Sequence, residues 1–158
     1  MELLTAKEAD LEAVYRLIQA TIETCYPPFY PPRAVAFFAH HHSREAIRQR
    51  LRYDLVLIAK ESERIVGTGS LVDSEISGLF VLPDAQGGGT GSALMEELEQ
   101  RAAQLGAGTI ELDVSLPSRA FYEHRGYTDL EERSLDVGEG QHLDYWHARK
   151  RIGAAFAR

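Results

Sequence analysis

The sequence contains a single cysteine, Cys25, so it cannot form an internal disulfide bond. It has no apolar run long enough to cross a membrane, and its first residues, MELLTAKEAD, lack the basic and then apolar pattern of a secretion signal. These absences predict a cytoplasmic protein without a membrane partner. The formal net charge of -7 argues against a nucleic-acid partner, because nothing in that total favours binding to phosphate backbones.

Metal-binding patterns are also missing. The run His40-His41-His42 directs its three side chains to different sides of a helix, and no further Cys, His or Asp cluster has ligand spacing. We therefore expect no metal site and interpret the run as an exposed helix end or a rim of an acceptor site. His142 and His147 are assigned to the closing strands of the domain for similar reasons.

The size and composition of the chain predict one packed domain over residues 1–158, because 44% of the residues are hydrophobic and 9% aromatic. The segment TAKE, Thr5–Glu8, is typical of a capping box and predicts the start of a helix. The four prolines within Cys25–Pro32 predict where that helix ends.

Strand and helix patterns then follow one another in the order of a mixed α/β domain. The predicted helices are Arg33–Ala39, Ser43–Arg52, a long helix from the glycine-rich loop to Gly106, and Ser118–His124. The predicted strands are Asp54–Lys60, Arg64–Val72, Glu75–Leu82, Thr109–Val114, Tyr127–Val137 and His142–Lys150.

The strongest functional signal is QGGGTG, Gln86–Gly91, between a predicted strand and a predicted helix. Successive glycines let backbone amides turn toward an anion without a Cβ in the way. The start of the next helix adds free N–H groups and the positive end of the helix dipole. The loop therefore predicts a phosphate-bearing ligand, with a simple tight turn as the alternative.

Two other phosphate-binding motifs fit this loop poorly. A Walker loop needs a lysine after its last glycine, and none follows here. A dinucleotide-binding G-x-G-x-x-G motif starting at Gly87 would have Ser92 in place of its third glycine. That motif also belongs to a parallel βαβ unit at the start of a domain, whereas about eighty residues precede this loop.

The pattern that fits is Q/R-x-x-G-x-G/A. The segment LFVLPDAQGGGTG, Leu79–Gly91, resembles the pyrophosphate-binding motif of the Gcn5-related N-acetyltransferases (GNAT). A second segment, SLPSRAFYEHRGY, Ser115–Tyr127, is similar to the family's N-x-x-A-x-x-F-Y-x-x-x-G-F/Y motif. The matching positions are Phe121, Tyr122, Gly126 and Tyr127. Ser115 and Ser118 stand where the family usually has asparagine and alanine.

This resemblance implies the GNAT fold, an α/β (α+β) domain with a mixed, mostly antiparallel sheet of about six to seven strands, flanked by helices and splayed at its central strands. It also implies that acetyl-CoA is the cofactor, with backbone amides of residues 87–92 around its pyrophosphate and an amide of residues 79–81 polarising the thioester carbonyl. Gly88 replaces a basic residue found in many members, which predicts weaker CoA binding. The predicted cofactor-binding residues are Leu79, Phe80, Val81, Gln86, Gly87, Gly88, Gly89, Thr90, Gly91, Ser92, Ser115, Ser118 and Phe121.

Two residues are predicted to be catalytic. Tyr122 matches the tyrosine that many members place beside the CoA sulfur, where a protonated phenol can donate to a thiolate; its alternative role is packing against Phe121. Glu75, at the start of a central strand, is the predicted general base, with Ser77 and Leu79 on the same strand face. It could instead be an exposed charge; Asp73, Glu111 or a water chain could also accept the proton.

The predicted acceptor-binding residues lie in the proline-rich segment. The resemblance implies that this connection walls the acceptor pocket, so Tyr26, Phe29 and Tyr30 are predicted to contact the substrate or to cover the core. Arginines at positions 44, 48, 50 and 52 hint at an acceptor that carries a carboxylate or phosphate.

The predicted activity is acetyl transfer from acetyl-CoA to a primary amine of a small molecule, by direct attack in a ternary complex. Two alternatives remain: a protein acetyltransferase acting on a lysine or an N-terminus, and a CoA-binding module without turnover. A closed acceptor groove would favour the small molecule, and an open channel would favour a protein. Family resemblance also raises the possibility of a homodimer.

Overall fold

The computed structural model describes residues 1–153, so the last five residues of the predicted single domain lie outside the described part. The strands are β1 (Glu2–Thr5), β2 (Leu55–Glu61), β3 (Arg64–Val72), β4 (Glu75–Val81), β5 (Thr109–Ser115), β6 (Glu131–Gly138) and β7 (Gln141–Arg151). The helices are α1 (Leu11–Cys25), α2 (Pro32–His41), α3 (Arg44–Tyr53), α4 (Thr90–Gln104) and α5 (Arg119–His124). No helix within residues 1–153 is long and apolar enough to cross a membrane.

The seven strands form one mixed sheet in the order β1-β2-β3-β4-β5-β7-β6. Only the central pair, β4 and β5, is parallel, as predicted for a mostly antiparallel sheet. Helices α1, α2 and α3 cover one face, where a hydrophobic cluster includes Ile18, Ile22 and Phe80. Helix α4 covers the other face with Leu94, Met95 and Leu98. Each face therefore has its own core, and the sheet separates them.

The N-terminal prediction is wrong at the capping box. Thr5 is the last residue of β1 and pairs with Leu57 of β2, so it does not cap a helix. The carboxylate of Glu8 binds Arg52, with 2.6 Å between Oε1 and Nε. A short 3-10 turn, Glu8–Asp10, precedes α1, and the backbone N–H of Lys7 donates to Asp10 at 2.8 Å. Pairing of β1 with the sheet edge overrides the local capping signal because it satisfies several backbone groups at once.

The central strands separate soon after they meet. Glu75 of β4 pairs with Glu111 of β5, whose N–H donates to the carbonyl of Ser74 at 3.1 Å, and no later pair joins the two strands. Toward Val81 and Ser115 the strands diverge and leave a cleft in the sheet. The predicted splay of the central strands is therefore confirmed.

A β-bulge in β4 changes which side chains share a face. The register against β3 shifts between Thr68, which pairs with Phe80, and Ser70, which pairs with Ser77. Gly78 has φ +64°, a backbone conformation that favours glycine. Beyond this bulge Leu79 packs with the α4 core and Phe80 with the core under α1. The prediction that Leu79 shares a face with Glu75 is therefore wrong, because one extra residue inverts the strand alternation.

Candidate active site

Two cavities meet where β4 and β5 separate. One, of about 260 Å³, lies on the α2 side of the sheet and is called the acceptor cavity. The other, of about 320 Å³, extends toward the glycine-rich loop and is called the cofactor cleft. Both contain the same five lining residues at their junction: Tyr26, Leu79, Phe80, Ser118 and Tyr122. A ligand in each cavity would therefore meet the other at this junction.

The glycine-rich loop at the end of the cofactor cleft has backbone amides without a protein acceptor. In the described part of the chain, no backbone N–H of residues 87–92 donates to a protein acceptor. Helix α4 begins within this segment, at Thr90, and has no acidic residue in its first turn. Free amides at a helix N-terminus with no competing carboxylate suit an anion. The loop thus fits the diphosphate of a CoA molecule. Amides that already donated to protein acceptors would not have been available to a diphosphate.

Glycine is required at two points of this loop for different reasons. Gly89, the N-cap of α4, has φ +88°, which a residue with a Cβ rarely adopts. Gly91 lets α4 approach α5, since a Cβ there would lie 3.3 Å from the ring of Phe121. The motif shows that glycine occurs at these two positions. The structure gives the reasons: backbone conformation at Gly89 and close packing at Gly91.

The predicted cofactor-binding residues divide into three groups. Most line the cofactor cleft: Leu79, Phe80, Val81, Gln86, Gly87, Thr90, Gly91, Ser118 and Phe121. Ser115 lines the acceptor cavity and lies 2.7 Å from Ser118, oxygen to oxygen. Gly88, Gly89 and Ser92 line neither cavity, although their amides are among those without a protein acceptor in the described part of the chain. The side chain of Gln86 donates to the carbonyl of Val81 at 2.9 Å and so ties the loop to β4.

Two tyrosines stand at the junction of the cavities. Tyr122 is 7% exposed, and its hydroxyl has no hydrogen-bond partner among the described residues. Burial raises the pKa of Tyr122, with a smaller contribution from Tyr26, so its phenol stays protonated at neutral pH. Burial also raises the pKa of Tyr26, while a hydrogen bond with Ser115 opposes that shift. Both phenols can therefore donate a proton at the junction of the cavities. The sequence motif identified only Tyr122 as a proton donor.

The outer part of the acceptor cavity is acidic, with Glu75 and Asp113 among its lining residues. Burial, and then the charges of Asp113 and Glu111, raise the pKa of Glu75, although His147 acts in the opposite direction. His147 contacts two carboxylates, with 2.8 Å from Nδ1 to Asp113 and 3.1 Å from Nε2 to Glu111. Burial opposes its protonation, yet these hydrogen bonds raise the pKa of His147 overall. His147, predicted only as a strand residue, thus belongs to an acidic cluster that favours its protonated form.

The predicted acceptor residues are only partly brought to the cavity. Tyr26 lines it, whereas Phe29 is 51% exposed and lines neither cavity. Tyr30 is buried outside both lining sets: its hydroxyl donates to the carbonyl of Asp144 at 2.8 Å and accepts from the N–H of Leu116 at 2.9 Å. Tyr30 therefore links the proline-rich segment to β7 and to the turn after β5.

Several lining residues were not predicted from the sequence. Helix α2 contributes Phe37, Phe38 and His41, and His42 follows it; the β6–β7 hairpin contributes Leu135, Leu143 and Tyr145. About a hundred residues separate these two groups, so no local pattern could connect them. Asp113 could have been found, because it alternates with Glu111 on the same strand. His41 and His42 were expected at an exposed helix end or at a rim of an acceptor site; both line the acceptor cavity, but His42 is only 5% exposed because Phe80, Arg50 and His41 surround it.

Comparison with known proteins agrees with this geometry. A family model described as an acetyltransferase (GNAT) domain matches residues 26–139. An uncharacterised N-acetyltransferase of Mycobacterium tuberculosis is 27% identical over 154 residues, which cover 90% of this chain and 99% of that protein. The structure of a GCN5-related N-acetyltransferase from Rhodopseudomonas palustris has a TM-score of 0.87 at 25% identity, covering 96% of this chain and 95% of that one. The PaiA N-acetyltransferase from Thermoplasma acidophilum, crystallised with coenzyme A, has the same fold with a TM-score of 0.71 at 16% identity, covering 96% of this chain and 98% of that one.

Proposed function

This chain belongs to the GNAT family of acetyltransferases, and from that membership we propose that it transfers the acetyl group of acetyl-CoA to the primary amine of a small molecule, by direct attack in a ternary complex. The observation that carries the proposal is the junction of the two cavities at Tyr26 and Tyr122. A CoA thioester reaching this point from the cofactor cleft would meet an amine from the acceptor cavity. Direct transfer needs this proximity and no covalent enzyme intermediate.

Acetyl-CoA would supply an activated acetyl group as a thioester. The free amides of residues 87–92 and the N-terminus of α4 would hold its diphosphate. Leu79, Val81 and Phe121 line the cleft between that loop and the junction and would contact the rest of the molecule. The bulge at Gly78 takes β4 out of register with β3, so an amide beside it can turn toward the cleft and polarise a carbonyl.

Tyr122 is the proposed general acid, because its protonated hydroxyl has no protein partner and stands at the junction. Glu75 is the proposed general base. Three strand residues separate it from Leu79, a distance on the order of 10 Å, so Glu75 would take the amine proton through water. Its raised pKa suits a proton acceptor better than that of a free carboxylate.

A small-molecule acceptor is favoured because the side of the cavity at the start of α2 is closed. The N–H of Arg33 donates to Oε1 of Gln141, and its guanidinium to the carbonyl of Val137, at 2.8 and 2.7 Å. Together with the bonds of Tyr30 to β7, these contacts join the proline-rich segment and α2 to the β6–β7 hairpin. A protein chain that crossed the site would have to break them, whereas a small amine would not.

The test is release of CoA from acetyl-CoA in the presence of a panel of small amines and of a lysine-containing peptide. We expect turnover with an amine, and a loss of kcat of about 100-fold for Tyr122→Phe because the leaving thiolate lacks its proton donor. Tyr53→Phe is the matched control, since Tyr53 is 76% exposed. An unchanged rate for Tyr122→Phe together with a large loss for Tyr26→Phe would move the acid role to Tyr26. Binding of acetyl-CoA without turnover of any amine or peptide would reject the enzymatic proposal.

A further inference from the structure

We propose that His42 determines the specificity for the acceptor, because its Nε2–H group binds a carboxylate of that molecule. The buried guanidinium of Arg50 positions His42 for this contact. The inference rests on the proposed function, because it concerns the acceptor of the same transfer. It narrows the substrate class to primary amines that carry a carboxylate, such as amino acids.

The imidazole of His42 is held in place on several sides. It follows α2, lines the acceptor cavity and is 5% exposed. Its ring meets the ring of Phe80 edge to face, with 5.1 Å between centroids. Its carbonyl accepts a hydrogen bond from Nε2 of Gln19 at 3.0 Å. A side chain confined in this way loses little further freedom when it binds a ligand.

The contact with Arg50 determines which nitrogen of His42 carries the proton. Nη2 of Arg50 lies 3.0 Å from Nδ1 of His42. A guanidinium can only donate, so Nδ1 accepts and the ring proton is on Nε2. Burial, followed by the charges of Arg50 and His41, lowers the pKa of His42 to about 3. His42 therefore remains a neutral donor throughout the physiological pH range.

The donor of His42 is available to a ligand. Nε2 has no hydrogen-bond partner among residues 1–153. The only fully buried side-chain nitrogen or oxygen without a partner in that part of the chain is Nε of Arg125, so Nε2 of His42 keeps some exposure. His42 lines the acceptor cavity, and we assign the exposure of its Nε2 to that cavity.

Arg50 makes this donor selective for an anion. No carboxylate pairs with its guanidinium within the described residues, and Nη2 instead donates to the carbonyl of His41 at 3.3 Å. Nη1 lies under the bulge, 3.1 Å from the position that a Cβ on Gly78 would take. Burial lowers the pKa of Arg50, as expected for a cation without a close partner. An acceptor carboxylate at His42 would supply the missing negative charge.

The other wall of the cavity suits the amine of the same molecule. Glu75 and Asp113 line it, and their negative charge attracts an ammonium group before it loses its proton. The aromatic side chains of Tyr26, Phe38 and Phe80 also line the cavity. A compact amino acid with an apolar side chain matches this distribution of charge.

The test uses three ligands of similar shape: L-phenylalanine, L-phenylalaninamide and 2-phenylethylamine. Their dissociation constants are measured by calorimetry with the protein–CoA complex, so that no turnover is needed. We expect L-phenylalanine to bind at least about tenfold more tightly than 2-phenylethylamine, with the amide between them. His42→Phe and Arg50→Met should remove this preference, and His42→Gln, which keeps an N–H donor, should retain part of it.

Comparing each ligand between wild type and variant cancels the intrinsic differences among the three amines. His40→Gln is the control, because His40 is exposed and lines neither cavity. An unchanged Kd for CoA verifies that each variant is folded. Equal affinities for all three ligands, no binding of any of them, or a preference that survives His42→Phe would overturn the inference. Carboxylate-dependent binding without acetylation would instead support it and reject the proposed transferase activity.

Discussion

At the scale of single residues, burial and the acidic cluster around Glu75 raise the pKa of the proposed general base. The imidazole of His147 contacts two carboxylates, Glu111 and Asp113, and its charge also acts on Glu75; Arg149 lies 3.5 Å from Glu111. The hydrogen bond from His147 lowers the pKa of Glu111, so Glu111 is the poorer base. Glu75 has the raised pKa and lines the acceptor cavity. These differences favour Glu75 over Glu111, which the strand pattern alone could not do.

The dependence of kcat/KM on pH tests this assignment. A base must be deprotonated, and a raised pKa means that Glu75 picks up its proton at a higher pH than a free glutamate does. Activity should therefore fall, as the pH is lowered, at a pH above the ordinary glutamate range. Glu75→Gln should remove that limb of the profile and lower kcat by about 10- to 100-fold.

Glu61→Gln, at the exposed end of β2, is the matched control and should leave the profile unchanged. Ionisation of the free amine adds a second limb at higher pH, which Glu75→Gln should not move. A Glu75→Gln profile that keeps the acidic limb would show that water alone, or another carboxylate, accepts the proton.

At the scale of elements, the two ends of α4 differ in what their glycines do. Gly89 before the helix and Gly106 after it have nearly equal left-handed conformations, with φ +88° and +93°. A Cβ at either position would have no atom within 4 Å. The two sites therefore impose the same backbone constraint, but only Gly89 belongs to the loop whose amides have no protein acceptor in the described part of the chain.

This pair separates stability from cofactor binding. Gly89→Ala and Gly106→Ala should each lower the free energy of unfolding by about 1–2 kcal/mol, because both force a Cβ into the left-handed region. Only Gly89→Ala should raise the Kd for CoA, by about tenfold, since the helix start and the loop amides shift together. Urea denaturation and calorimetric titration with CoA measure the two effects. An equal effect of both variants on CoA affinity would show that the loop amides do not bind the diphosphate.

At the scale of the whole molecule, a buried charge connects α4 to the C-terminal hairpin. Glu99 is fully buried on the sheet side of α4. Its carboxylate accepts from Arg125 at 2.8 Å and from the hydroxyl of Tyr127 at 2.9 Å, and it lies 2.9 Å from Nζ of Lys150. Arg125 and Tyr127 belong to the second family motif and Lys150 is on β7, so one side chain of α4 joins both to that helix.

Removing that charge should cost more than any surface pair. Glu99→Gln leaves the charges of Arg125 and Lys150, both less than a quarter exposed, without their partner. We expect a loss of about 3 kcal/mol in the free energy of unfolding, measured by urea denaturation. Glu97→Gln on the same helix removes the more exposed pair with Arg101 and should cost less than about 1 kcal/mol. Equal losses in the free energy of unfolding for the two variants would mean that the buried network stabilises the fold no more than the exposed pair does.

Much of the fold and part of the site could be predicted from local patterns. The glycine-rich loop, the cofactor-cleft residues and Tyr122 belong to short motifs in which neighbours in sequence are neighbours in space. The side chains that face each side of β4 could not be predicted beyond Gly78. In the sequence, a glycine at a bulge cannot be distinguished from any other glycine in a strand. The capping box failed at Thr5 because sheet pairing competed with a local hydrogen bond.

By itself, the sequence determined the family, the order of the elements and the loop suited to a diphosphate, because periodicity and the free amides at a helix start are local properties. The acceptor cavity was decided by tertiary structure, which brings α2, β4 and the β6–β7 hairpin together. Burial and pairing then determined that His42 is neutral, that the pKa of His147 is raised and that Tyr30 is a structural link. Such properties depend on neighbours that are distant in the chain, so no pattern along it contains them.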